Sequence, residues 1–177
     1  MARSGNPPIL VPVDFSPNSE TALAFAMALA GALKAPLVVL HVVHDPADDP
    51  GYYTRALGNE GPPQLRKLED LAAAMMEEFL ARFYEAHPEC APPRELKTEL
   101  VVGLPVARIL EMIERLQPQL VVIGSRGRSS LSNLLLGSKA EQVARLSPVP
   151  VTLVKPPPEA PQPPAPEDHE EPTPPAS

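Results

Sequence analysis

The sequence predicts one α/β domain built on a five-stranded, parallel, doubly wound sheet, and three observations predict it. Apolar runs of strand length recur at 9–13, 36–43, 120–123 and 149–154 without the polar alternation of a half-exposed strand, which marks strands buried on both faces. They alternate with segments of helical periodicity, the pattern of strand, crossover helix and parallel strand. The 177 residues suffice for one domain of about 150 residues with a sizeable core, followed by a tail.

The first strand reads Ile-Leu-Val-Pro-Val from Ile9 and stops at Asp14. Ser16-Pro17 then offers an N-cap followed by proline in the first turn, and the Ala-, Leu- and Met-rich segment 21–34 is the first helix. The second strand covers 36–43. Residues 44–62 carry Pro46, Pro50, Gly51, Gly58, Gly61 and Pro62 and form a long surface loop. Its His44, Asp45, Asp48 and Asp49 are solvated loop residues rather than a metal site, and its Tyr52 and Tyr53 either cover a neighbouring pocket or pack on the domain.

A long helix over 64–86 places Leu65, Leu68, Leu71, Met75, Phe79 and Phe83 at spacings of three and four, and Pro88, Pro92 and Pro93 end it. Residues 95–102 give the third strand. Gly103-Leu-Pro105 opens a helix to Leu116 that turns Ile109, Leu110 and Ile113 to the sheet. The fourth strand is 120–123, the last helix 138–146 and the fifth strand 149–154, from Val149 to Val154.

The fourth strand runs through Ile123 into the stretch that carries the chemistry. Gly124-Ser-Arg-Gly127 is followed by nine residues and then Gly137-Ser138. Glycines at the carboxyl end of a buried strand permit a turn through positive φ and a close approach of ligand to backbone, and they leave N–H groups to point at an anion. The same glycines also serve an ordinary turn after a strand. Ser138 is placed to cap the next helix, whose N-terminus favours phosphate. Neither a Walker A loop nor the G-x-G-x-x-G fingerprint occurs.

A ligand here needs the first and fourth strands to be neighbours at a topological switch point, with Pro12, Val13 and Asp14 across from the glycine loop. Donors to a polyphosphate are the backbone amides of 124–130, the hydroxyls of Ser129, Ser130 and Ser138, and the side chains of Arg126 and Arg128. No catalyst stands out: there is no Ser-His-Asp or Cys-His arrangement and no pair of carboxylates. Asp14 also has a purely structural role open to it, an Asx-turn before the Ser16 helix.

The G-x2-G-x9-G-[ST] pattern of Gly124, Gly127, Gly137 and Ser138 resembles the nucleotide-binding motif of the ATP-binding branch of the universal stress proteins. The resemblance extends to Ile-Leu-Val-Pro-Val-Asp from Ile9 and to Pro-Val-Pro-Val-Thr-Leu-Val from Pro148, so it covers about residues 7–155. It implies a Rossmann-like fold of the adenine nucleotide α-hydrolase type and ATP as ligand. It carries phosphate contacts to Gly124, Gly127, Gly137 and Ser138, and adenosine contacts to Pro12 and Asp14. Asp14 then meets either ribose hydroxyls or a phosphate-bound Mg²⁺. Val42, next to His41, matches the position whose backbone reads adenine, and His41 itself reads as a core or rim histidine. Lys139 and Ser130 depart from the family pattern; Lys139 either adds a phosphate contact or faces solvent.

The resemblance implies a nucleotide-dependent stress-response regulator with little or no catalysis, paired as a homodimer through the edge strand 149–154. Two other functions compete. A structural stress dimer without nucleotide belongs to a branch that lacks the glycine pattern. A nucleotide α-hydrolase-type enzyme carries S-G-G-x-D-S after the first strand, where this chain reads Val13-Asp-Phe-Ser16.

Composition narrows the partners. Of 26 prolines, ten fall in 156–177, together with five acidic and no basic residues. That tail cannot bury enough apolar surface to offset its ordering entropy, so residues 1–155 form the domain and 156–177 a disordered, polyproline-like acidic tail whose partner the sequence does not name. The net charge of −7, most of it in the tail, and the absence of tryptophan argue against nucleic acid. Lone Cys90 excludes an internal disulfide and suits a reducing compartment, and no signal core or membrane span is visible; the expected location is the cytoplasm.

Overall fold

The computed structural model describes residues 6–44, 65–90, 92–93, 95–126 and 136–155. In chain order these form β1 (Ile9–Pro12), α1 (Pro17–Leu33), β2 (Leu37–Val43), α2 (Leu65–Ala86), β3 (Leu96–Val102), α3 (Pro105–Leu116), β4 (Leu120–Gly124), α4 (Ser138–Leu146) and β5 (Val151–Val154). All strand pairs are parallel, in the order β3-β2-β1-β4-β5. The five-stranded α/β fold read from the sequence is the fold observed. The loop at 45–62 and the tail lie outside the described residues.

Period-two alternation in the central strands builds two cores, one on each face. Ile9, Val11, Leu37, Val39 and Val122 pack under α1 and α2, with Leu23, Met27, Phe79 and Phe83. Their sequence neighbours Leu10, Val38, Leu40 and Val121 pack under α3 and α4, with Ile109, Met112, Ile113 and Val143. This is why the strands read as unbroken apolar runs: both faces are covered.

Local chemistry sets the element ends. α1 begins at Pro17, earlier than the periodicity suggests, because Ser16 sits in extended backbone and its Oγ accepts from the Ser19 N–H at 3.2 Å. It stops where Lys34 turns left-handed at φ 50°, its N–H directed to the Ala30 and Gly31 carbonyls. In α2 the buried methionine is Met76; Met75 only packs at the margin. Likewise in α3 Met112 joins Ile109 and Ile113 in the core, and Leu110 is only partly covered.

β5 is two residues shorter than expected. The Ser147 hydroxyl donates to the Val149 carbonyl at 2.8 Å and accepts from its N–H at 3.2 Å, which holds Val149 in a turn and out of the ladder.

Phe83 is fully buried where α1 and α2 share their core. Phe83→Ala is expected to lower unfolding free energy by about 3–5 kcal/mol, measured by urea denaturation.

Candidate functional site at the carboxyl edge of β1 and β4

β1 and β4 are neighbours, but they pair only at their amino ends, Ile9 with Leu120 and Leu10 with Val121. Beyond that point each bonds to its outer neighbour. The Val13 N–H donates to the Leu40 carbonyl in β2 at 2.8 Å, and the Ser125 N–H donates to the Val154 carbonyl in β5 at 2.8 Å. The ladder between the two strands thus ends at Leu10 and Val121, and the carboxyl ends beyond it stand where strand order reverses, the place where a doubly wound sheet offers a crevice.

On the β1 side, Pro12 and Val13 are buried. His41, 2% exposed, holds the Val13 carbonyl at 2.9 Å from Nδ1. A carbonyl only accepts, so Nδ1 carries a proton and the ring is committed to shaping the backbone. Its other constraint is Phe15, stacked on it at 4.2 Å between centroids and held at φ 60°, a left-handed conformation that the sequence does not announce. This kink swings the chain from β1 into α1. Asp14 Oδ1 accepts from the Ser16 N–H at 3.1 Å and from the Ser16 hydroxyl. Asp14 thus makes the Asx-turn that was open to it and orders the N-cap serine of α1. In β2, the Val42 carbonyl lies 3.3 Å from His44 Nδ1, and the Val42 side chain is buried.

On the β4 side, Ile123 is at the limit of burial and Ser125 is buried. Gly124 corrects one expectation. Its φ is not positive; what crowds a side chain is the first turn of α1, because a Cβ would lie 3.0 Å from the Asn18 carbonyl oxygen. The close approach is therefore protein against protein, and Asn18 and Phe15 are the site residues that sequence reasoning missed. A turn could be read from Ser16-Pro17, but neither the Phe15 kink nor the Asn18 contact has a sequence signature.

The far half of the glycine pattern comes back to the same place. The Gly137 N–H donates to the Ser125 carbonyl at 2.8 Å, so the two described ends of the motif are pinned together. Gly137, not Ser138, is the N-cap of α4, and no side chain caps it. Ser138 is the exposed first helical residue and Lys139 the next, also exposed. The first-turn amides of a helix have no intrahelical acceptor, which suits an anion. Arg126 is half-buried at the end of β4. Gly127, Arg128, Ser129 and Ser130 lie outside the described residues.

A sequence profile described as the Universal stress protein family matches residues 5–155. The chain belongs to the universal stress protein family. A universal stress protein from Mycolicibacterium smegmatis is 34% identical over 155 residues, which is 88% of this chain and 48% of that protein. This universal stress protein thus spans about half the length of the curated mycobacterial relatives it matches. Among solved structures, universal stress protein UspA from Lactobacillus plantarum aligns with a TM-score of 0.63 at 28% identity, covering 87% of this chain and 99% of that one. A universal stress protein solved in complex with cAMP aligns at 0.57 and 25% identity, over 86% and 98% of the two chains.

Two further groups bear on chemistry. Cys90, half-buried, has its thiol pushed up by burial and then by the Glu89 carboxylate, so it stays protonated and is a poor nucleophile near neutral pH. No helix among the described residues is long and apolar enough to cross a membrane, and no group of three or more potential metal ligands occurs among them.

A double change of Gly124 and Gly127 to valine is, from sequence alone, a clean way to remove ligand binding. The Asn18 contact gives a different expectation for Gly124. Gly124→Val should destabilise the fold by about 1–3 kcal/mol through overpacking against α1, seen as a lowered Tm in the absence of any ligand. An unchanged Tm would show that the α1 turn yields at no cost.

Proposed function

We propose that this universal stress protein domain binds an adenine nucleotide, with ATP as the ligand, in the crevice between the carboxyl ends of β1 and β4. In this reading it acts as a nucleotide-dependent stress-response regulator with little or no catalysis. The observation that carries the reading is the Gly137 to Ser125 bond, which brings both described ends of the glycine motif to a point where the sheet parts. The arrangement fits a nucleotide: it combines an uncapped helix start, an exposed hydroxyl at Ser138, a cation at Lys139 and a backbone wall at Val13 and Val42. The solved relative with cAMP gives independent support for an adenine ligand in this fold.

The proposed roles follow the family resemblance. Gly124, Gly127, Gly137 and Ser138 hold the phosphates, with Arg126, Arg128 and Lys139 adding charge. Pro12, Val13 and Ile123 border the nucleoside, and the Val42 backbone reads the base. Asp14 meets the ribose or a phosphate-bound Mg²⁺. The reading also includes a homodimer through the β5 edge, an apolar strand without a second neighbour among the described residues.

Isothermal titration calorimetry with ATP tests the proposal, and no heat up to millimolar nucleotide would favour the structural dimer that binds none. Ser138→Ala removes an exposed hydroxyl that makes no cap among the described residues, so Tm should hold within about 1 °C while ATP affinity falls about three- to tenfold.

A further inference from the structure

The two edges of the sheet are built differently. The β3 edge carries Lys97 and Thr98 exposed, and its Glu99 pairs with Arg115 at 2.9 Å. Charges of this kind keep another strand from adding to an edge. β5 reads Val-Thr-Leu-Val, with no charged residue. Pro150 and Val154 direct their carbonyls to β4, at 3.0 and 2.8 Å from the Val121 and Ser125 amides. By alternation, Val151 and Leu153 turn their backbone groups outward. The missing N–H of Pro150 therefore falls on the side already paired, and the outer edge is intact.

α1 adds a second feature beside this edge. From Ala22 to Leu33 it contains no polar side chain, although only one side of it faces the core. At 100° per residue, Asn18, Phe25, Leu29 and Leu33 follow one flank, with the last three at i, i+4 and i+8, and Glu20 lies on the opposite flank. Two contacts orient these flanks. Glu20 meets His87, just past α2, at 3.5 Å, and Asn18 meets Gly124 at the end of β4. The Phe25–Leu29–Leu33 ridge thus points away from α2, towards β4 and β5. Phe25 is 45% and Leu33 46% exposed. On the other face, α4 packs on β5 and ends in Leu146, 53% exposed. The uncharged edge is flanked by exposed large apolar side chains on both sides of the sheet.

We infer that the Phe25–Leu29–Leu33 flank of α1 is part of a surface that seats a second copy of this chain, continuous with the β5 edge. This rests on the β5 pairing proposed above and names what else that contact requires. A four-residue strand is only about 13 Å long and cannot by itself approach the roughly 800 Å² per partner of a stable interface. A two-fold axis beside β5 brings each α1 flank towards its own copy, where Phe25 is the aromatic anchor.

Sedimentation equilibrium of the full chain at micromolar concentration tests this. The wild-type chain is expected to be dimeric, with Phe25→Glu and Leu33→Glu each raising the dimer Kd about tenfold or more. Leu104→Glu, at an exposed leucine after β3 on the far side of the sheet, should leave it unchanged. Circular dichroism checks that each variant folds; should Phe25→Glu not fold, Phe25→Ala should still raise Kd about threefold or more. A Phe25→Glu chain with wild-type Kd overturns the inference. If Leu153→Pro, which removes an outward N–H, then splits the dimer, the β5 pairing stands without the α1 contact. A monomeric wild-type chain overturns both.

Discussion

The parting of β1 from β4 is the constraint on which the rest depends. The ladder between these two adjacent strands runs only as far as Leu10 and Val121, while their bonds to β2 and β5 continue to Val13 and Ser125. In a doubly wound sheet this is where the chain leaves one side of the first strand and resumes on the other, so helices depart to opposite faces. Backbone groups at such a gap must find partners, and here the neighbourhood supplies some of them. His41 takes the Val13 carbonyl, Asp14 takes the Ser16 amide, and Ser125 joins Gly137.

α1 ties this gap to the rest of the molecule. Its first turn is set by the Phe15 kink and the Ser16 cap and sits against Gly124, and its buried stripe fills the core shared with α2. A helix that is apolar all round is normally enclosed on all sides. In a single copy of this domain α1 is not, and its outer flank lies beside the sheet edge that lacks charge. The crevice proposed for a nucleotide and the surface proposed for a second copy thus share one helix.

Much of the fold could be read from residues. The four buried runs, Ser16-Pro17 and Gly103-Leu-Pro105 mark strands and helix starts through elementary backbone chemistry, and the observed elements differ only at their ends. Those ends moved for reasons that periodicity does not carry. Pro17 could begin α1 because Ser16 caps it, and Val149 left β5 because Ser147 engages both of its backbone groups. The glycine spacing pointed to the candidate site, yet it misassigned two details: Gly137 is the cap in place of Ser138, and Gly124 is crowded by Asn18 and does not adopt a positive φ.

By itself the sequence determined the α/β class, the alternation of elements and the family, because these follow from apolar periodicity and from glycines at fixed spacing. It also singled out Asp14 and the segment from Gly124 to Ser138 as the stretch where a ligand is to be expected. Only the tertiary structure decided what each residue touches. Strand order set β1 beside β4, helix rotation turned Phe25 towards β5, and the His41–Phe15 stack fixed the kink, all through contacts between residues distant in the chain. Pairwise contact at that range depends on how whole elements pack, which no local pattern encodes.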